Sequence, residues 1–189
     1  FTFFTNKTQK IPDNWSLFNQ YDCIFSNAAI LIRHVKFMKI IIICTGSELL
    51  QGSVINTNAT DLARQLRLHG MSPETILTIP DEMAILRDAV ASSLQNYDLV
   101  IISGGLGPTA DDITRDAVAS ALNLTQKRVQ EQEKKLIDYW QFRHGDKVYP
   151  ETYLNQANLP EYGEFIPNFN GTAPGIFINF TCLINIAAL

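Results

Sequence analysis

A chain of 189 residues with 46% hydrophobic and 18% charged residues has a globular composition, and its length fits one domain with a short appendage. No run of 18 apolar residues offers a membrane span, and a net charge of -4 argues against sequence-independent binding to nucleic acid, which needs a basic surface. Cys23, Cys44 and Cys182 lie far apart without metal-ligand spacing, so a disulfide framework is not expected and a reducing cytoplasm is the expected compartment.

Residues 1–37 show no clear periodicity and fit no targeting signal. Met38 and Lys39 precede five apolar residues and read like a natural start, so 1–37 are set apart as an upstream extension. Ile40 to Cys44 is predicted as the first strand, apolar throughout, running into the polar loop Thr45-Gly46-Ser47-Glu48. Ile55, Ala59, Leu62, Ala63 and Leu66 then mark one face of a helix ending at Gly70, with Asn56, Thr57 and Asn58 near its start as caps or ligand contacts. Glu74 to Ile79 reads as the next strand. Pro80-Asp81-Glu82 closes it and caps a helix with Ile85, Leu86, Ala89, Val90 and Leu94 inward.

Leu99 to Ile102 is a short β-branched run suited to a strand buried on both faces. It stops at Ser103-Gly104-Gly105-Leu106-Gly107-Pro108-Thr109, a rigid loop poor in side chains. Helical spacing of Ile113, Ala117, Val118, Ala121 and Leu122 follows, with Asp111, Asp112 and Thr114 as candidate caps. Strand, glycine loop and helix in that order favour an anion, because free N–H groups and the positive end of the helix dipole meet there. Substrate phosphates are therefore expected on the backbone of Gly104 to Thr109, and Gly105→Val is expected to weaken ligand binding more than folding. Neither the dinucleotide Gly-x-Gly-x-x-Gly pattern nor the Walker pattern occurs, so nicotinamide and kinase-type sites are not indicated.

Beyond Thr125 a helix with a wide solvated face carries Val129, Leu136, Ile137 and Trp140. A second short helix is predicted within Asp146 to Leu159, with Tyr149, Tyr153 and Leu154 as packing residues. A turn, a strand at Glu164 to Ile166, the polar loop Asn168 to Gly175 and a strand at Ile176 to Ile178 close the pattern. Gly171, Thr172 and Pro174 make that loop the second site candidate. Strands alternating with helices predict a three-layer α/β/α fold with a mostly parallel sheet, Rossmann-like, in which the loops at 45–48 and 103–112 converge beyond the strands' carboxyl ends.

Three blocks resemble a known family. Thr45-Gly-Ser-Glu-Leu-Leu-Gln-Gly52 with Asn56-Thr-Asn58, then Ser103-Gly-Gly-Leu-Gly-Pro-Thr-Ala-Asp-Asp-Ile-Thr114, then Asn155-Gln-Ala-Asn-Leu-Pro160 with Gly171-Thr-Ala-Pro-Gly175 are similar to the molybdopterin-binding domain superfamily, and within it to the N-terminal domain of CinA proteins. The resemblance covers residues 38–178, and 179–189 form a tail that does not match. The family's further Leu-Pro-Gly-Val-Pro segment is not seen, which leaves a sheet edge expected to be unpaired. The C-terminal deamidase domain is not seen either, so nicotinamide mononucleotide deamidation is not expected.

The resemblance implies a cytoplasmic homodimer of the ADP-ribose pyrophosphatase type, hydrolysing a nucleoside diphosphate compound with Mg²⁺ or a similar divalent metal. It implies Asp112, Asp111 and Glu48 as catalytic and metal-holding carboxylates. Some relatives carry an acidic residue where this chain has Ser47, and Glu48 is then the remaining acid. Ser103, Gly104, Gly105, Gly107, Pro108, Thr109, Thr45, Gly46, Asn58, Gly171, Thr172 and Pro174 are the expected substrate contacts. A molybdopterin adenylyltransferase-like enzyme and a non-catalytic pterin- or nucleotide-binding module are the alternatives. No nucleic-acid or membrane partner is expected.

Overall fold

The apolar runs at 40–44 and 99–102 become neighbouring strands at the middle of the fold. The computed structural model describes residues 2–5, 38–169 and 171–179. Its strands are β1 (Thr2–Thr5), β2 (Ile40–Thr45), β3 (Thr75–Ile79), β4 (Leu99–Ser103), β5 (Gln126–Arg128), β6 (Asn158–Pro160), β7 (Gly163–Ile166) and β8 (Gly175–Asn179). The helices are α1 (Ser47–Leu50), α2 (Thr57–Leu68), α3 (Met83–Asn96), α4 (Thr114–Ala121) and α5 (Gln130–His144), with a 3₁₀ helix at Glu151–Ala157. One sheet has the order β3-β2-β4-β1-β8-β7, and β5 pairs with β6 outside it.

Alternation along β2 explains the layers, because successive side chains leave opposite faces of a strand. Ile41 and Ile43 pack with Leu86 and Val90 of α3 and with Ala117 and Val118 of α4. Ile40, Ile42 and Cys44 pack on the other side with Ala59, Leu62 and Leu66 of α2. The predicted three-layer α/β/α arrangement is thus observed. β2 runs parallel to both β3 and β4, and β1 parallel to β8, while the β1–β4 and β7–β8 pairs are antiparallel.

Chain order fixes where a ligand fits. From β2 the chain crosses by α2 to β3 on one side; from β3 it returns by α3 on the opposite face to β4, on the other side of β2. The loops that leave β2 and β4 therefore part toward opposite faces, and such a switch in strand order is where open α/β sheets carry their binding crevice.

Several expectations shift. Ile55 lies before α2 and is 83% exposed, because the helix starts only at Thr57, where Asn56 accepts a hydrogen bond from the Ala59 N–H at 3.1 Å. Ile85 is likewise exposed rather than inward. No helix forms over 146–150; only the 3₁₀ helix appears, after Pro150, whose extended angles end any preceding helical run. Tyr153 and Leu154 pack as predicted, with Leu136 and Ala157 under Trp140 and Tyr149. The last strand, expected to be left with an unpaired edge, has partners on both sides: Thr2–Thr5, set apart above as an extension, lies between β4 and β8, and β8 also pairs with β7. Cys23 and Cys182 lie outside the described residues. No helix among the described residues is long and apolar enough to cross a membrane.

Candidate functional site

The first wall of the crevice is the loop after β2, and an aspartate from the end of β3 holds it. Asp81 accepts from the Thr45 hydroxyl at 2.7 Å through one oxygen and from the Ser47 N–H at 2.9 Å through the other, while the Gly46 N–H donates to the Ile79 carbonyl at 3.1 Å. By sequence Asp81 belongs to a helix cap. In the structure α3 has no side-chain cap, and Asp81 clamps the neighbouring loop instead. Asp81→Ala leaves a hydroxyl and an N–H without their acceptor, so we expect a loss of about 1–3 kcal/mol in denaturant unfolding, with Asp81→Asn losing less. Unchanged stability in both variants would remove the clamp from the site.

The second wall is the glycine loop, and it touches the first. Gly104 has φ of +114°, and a Cβ on it would stand 2.5 Å from the Thr45 carbonyl oxygen, so only glycine lets the two loops abut. Asn58 of α2 donates to the Ser103 hydroxyl at 3.3 Å. Of the three residues at that helix start, Asn56 therefore caps and Asn58 joins the crevice.

The loop's carbonyls face inward. The Gly104 carbonyl accepts from the Thr114 hydroxyl at 2.8 Å, the Gly105 carbonyl from the Thr114 N–H at 3.0 Å, and the Leu106 carbonyl from Arg115 Nη2 at 3.0 Å. In a trans peptide the carbonyl and the following N–H point in opposite directions, and no peptide bond here is cis. The N–H groups of Gly105, Leu106 and Gly107 are thereby turned away from α4, and none of them donates to an acceptor among the described residues. Thr114, expected as a helix cap, acts instead as the post to which the loop is tied. Arg115, passed over in the sequence, does the same and is 3% exposed. Burial pulls the Arg115 pKa down, and Asp116 and then Asp112 act against that shift.

Asp112 caps nothing either: α4 begins without a side-chain cap. Its carboxylate turns back to accept from the Thr109 N–H at 2.8 Å and the Thr109 hydroxyl at 2.6 Å. A Cβ on Gly107 would stand 2.6 Å from Asp112 Oδ2, so the third glycine makes room for that carboxylate. Asp111 is exposed, and Glu48 of α1 folds its carboxylate back over Gly46. Among the described residues no three His, Cys, Asp or Glu side chains gather to enclose a cation. Asp111, Asp112 and Glu48 thus form no closed cage among the described residues.

The third loop sits elsewhere. Gly171, Thr172 and Pro174 line a cavity of about 510 Å³ against Leu136 and Tyr139 of α5. The Thr172 hydroxyl donates to Gln156 at 2.7 Å, and Asn168 donates to the Ala173 carbonyl at 2.8 Å. No hydrogen bond among the described residues joins this loop to Gly104–Thr109. Its link runs through the 3₁₀ helix, whose Asn155 lines a separate cavity beside Gly107. Asn170 lies outside the described residues.

Loops meeting at the strand-order switch, with a glycine loop turning N–H groups outward, define an α/β protein of the doubly wound class. The family described as "Probable molybdopterin binding domain" matches residues 41–181, and the chain belongs to that family. It is 42% identical over 137 residues to a "Putative competence-damage inducible protein" of Desulforudis audaxviator, covering 72% of this chain and 33% of that one. It is 40% identical over 141 residues to a CinA-like protein of Chlorobaculum tepidum, covering 75% and 33%. The chain spans about a third of the length of these relatives. The crystal structure of the CinA protein of unknown function from Thermoplasma acidophilum shares the fold, with a TM-score of 0.66 and 24% identity over 81% of this chain and 97% of that one.

Proposed function

We propose that the crevice between β2 and β4 binds the diphosphate of a nucleotide compound such as ADP-ribose and hydrolyses it. The observation that carries this reading is the orientation of the loop, whose three inward carbonyls leave the N–H groups of Gly105, Leu106 and Gly107 as a ready set of donors. Such donors bind a phosphate and stabilise the charge that grows on its oxygens in the transition state, without reorganising as they do so. Asp112 fixes Thr109 and so the far end of the loop, while Asp81 fixes Thr45 and Ser47 opposite it.

In the reaction, a water oxygen forms a bond to one phosphorus as the bridging P–O bond breaks, giving AMP and ribose phosphate. A divalent ion bound with the diphosphate, facing Asp112, Asp111 and Glu48, would neutralise phosphate charge and lower the pKa of that water. The family description favours a second reading, a pterin phosphate held in the same crevice, either adenylylated there or only bound.

Incubation with ADP-ribose and Mg²⁺ is expected to release AMP and ribose phosphate, with release lost on chelation. Tight binding of ADP-ribose without turnover would overturn hydrolysis and leave a binding module. Turnover of molybdopterin but not of ADP-ribose would favour the pterin enzyme.

A further inference from the structure

The cavity beside the third loop lies on the face of the sheet that α4 covers: Val129 and Phe165, which line it, pack against the apolar cluster that holds Ala117 and Val118. The N–H groups of Gly105 to Gly107 turn away from α4, so this cavity is a place apart from the crevice. Its volume of about 510 Å³ is that of a small-molecule site, for which roughly 300–1,000 Å³ is usual.

The walls are mostly apolar and partly aromatic. Leu136, Phe165 and Pro174 line the cavity together with Tyr139 of α5 and Phe169 of the loop. Tyr139 is 45% exposed and Phe169 is 70% exposed, so two aromatic rings from different elements are left in contact with water at the same opening. The loop that carries Phe169 is anchored on both sides of it, by Asn168 on the Ala173 carbonyl and by Thr172 on the fully buried Gln156. The cavity is therefore formed in advance of any ligand, and its exposed rings present flat faces on which another ring can stack.

The polar groups at the opening select against charge. Lys135 Nζ pairs with Glu131 at 2.8 Å, so the two cancel. α5 starts without a side-chain cap, which leaves the N–H groups of its first turn without intrahelical partners. Glu131 and Glu133 in that turn already answer the positive end of the helix, so an added anion gains little there. Gln132 also lines the cavity; its side chain makes no hydrogen bond among the described residues, and its amide offers both donor and acceptor. Donors and an acceptor beside stacking faces suit the edge of a ring that carries nitrogen and oxygen atoms.

We propose that this cavity binds a neutral, flat heteroaromatic ring of purine or pterin size, stacked on Tyr139 and Phe169 with its edge toward Gln132 and the first turn of α5. Gly171, Thr172 and Pro174 then serve a ring and not the phosphates for which the glycine loop is built. The site holds whether the crevice hydrolyses its ligand or only binds it.

The test is a titration of the full chain, methyl-labelled at leucine, valine and threonine, with adenosine and, in a second arm, with free pterin. Saturable shifts of the Val129, Leu136 and Thr172 methyls are expected, with the backbone amides of Gly105 to Gly107 unmoved; the arm that saturates at lower concentration names the source of the ring. Phe169→Ala and Tyr139→Ala, both at exposed positions, should weaken the binding at least roughly tenfold, the effect of one lost stacking face. Tyr139→Phe, which keeps the ring, should stay within about twofold of the parent. Cyclohexanol, a ring without a π face, should not displace the bound ligand. No saturable shift in either arm, or an unchanged titration in Phe169→Ala, would overturn the site. Displacement by cyclohexanol would overturn the ring class, and shifts confined to Gly105–Gly107 would place the ring in the crevice instead. Methyl shifts that follow protein concentration and ignore both ligands would give the cavity to a second copy of the chain and overturn the proposal.

Discussion

Gly105→Val should unfold more readily than the parent protein. Gly105 has φ of +66°, and a Cβ built on it collides with the Thr114 hydroxyl and stands 3.2 Å from the Thr114 N. Thr114 is fully buried and cannot withdraw without releasing its bonds to the Gly104 and Gly105 carbonyls. A β-branched residue in the left-handed region and an overfilled contact together cost about 2–5 kcal/mol. Chemical denaturation should read that loss directly, with phosphate affinity falling alongside it. The sequence led to the opposite order, binding before folding, because it shows that the loop needs a glycine but not what stands against it. A valine variant as stable as the parent would mean that Thr114 does not tie the loop down.

Asp112→Asn should show the reverse pattern: a stable protein that turns over slowly. The amide oxygen of asparagine can accept from the Thr109 N–H and hydroxyl as the carboxylate does, so the loop keeps its shape and stability should stay within about 1 kcal/mol. What disappears is a negative charge beside Arg115 and, on the proposed function, the charge that would face the metal-bound diphosphate. Turnover of ADP-ribose should fall at least roughly tenfold, equivalent to about 1.4 kcal/mol on the barrier, and its response to Mg²⁺ should weaken. Asp111→Asn, at an exposed position, should do less on both counts. Full activity with an undiminished metal response in Asp112→Asn would confine this residue to holding Thr109.

The fold was legible wherever a pattern is local. Apolar runs identified β2 and β4, and the helical spacing of Ala59, Leu62 and Leu66 identified the buried face of α2. The glycine loop was legible because strand, glycines and helix follow one another in sequence. Asp81 and Arg115 were not, since each acts on residues outside its own element and leaves no periodic trace. Asp81 looked like a cap because Pro-Asp-Glu before a helix usually is one; its partners Thr45 and Ser47 come close only once β2 and β3 are paired. Arg115 drew no expectation from the sequence, and only the fold shows it buried against Leu106. For the third loop, the repeated glycine signal suggested one shared site, whereas packing against α5 gives Gly171–Pro174 surroundings of their own.

The place of β1 bears on the order in which the molecule forms. β2, β3 and β4 come from one continuous stretch and pair only with one another and with β1, whereas β1 requires Thr2 to meet both Ile102 and Ile176. Closing chain loops of that length is entropically unfavourable until both partners are in place, and pairings distant in sequence are slow. Collapse of 40–121 with its helices is thus the early event, and it already builds both walls of the crevice. Insertion of β1 is the late event, joining that half of the sheet to β8 and β7. During refolding, phosphate should protect the Gly105–Gly107 amides from hydrogen exchange before Phe3 and Phe4 acquire protection.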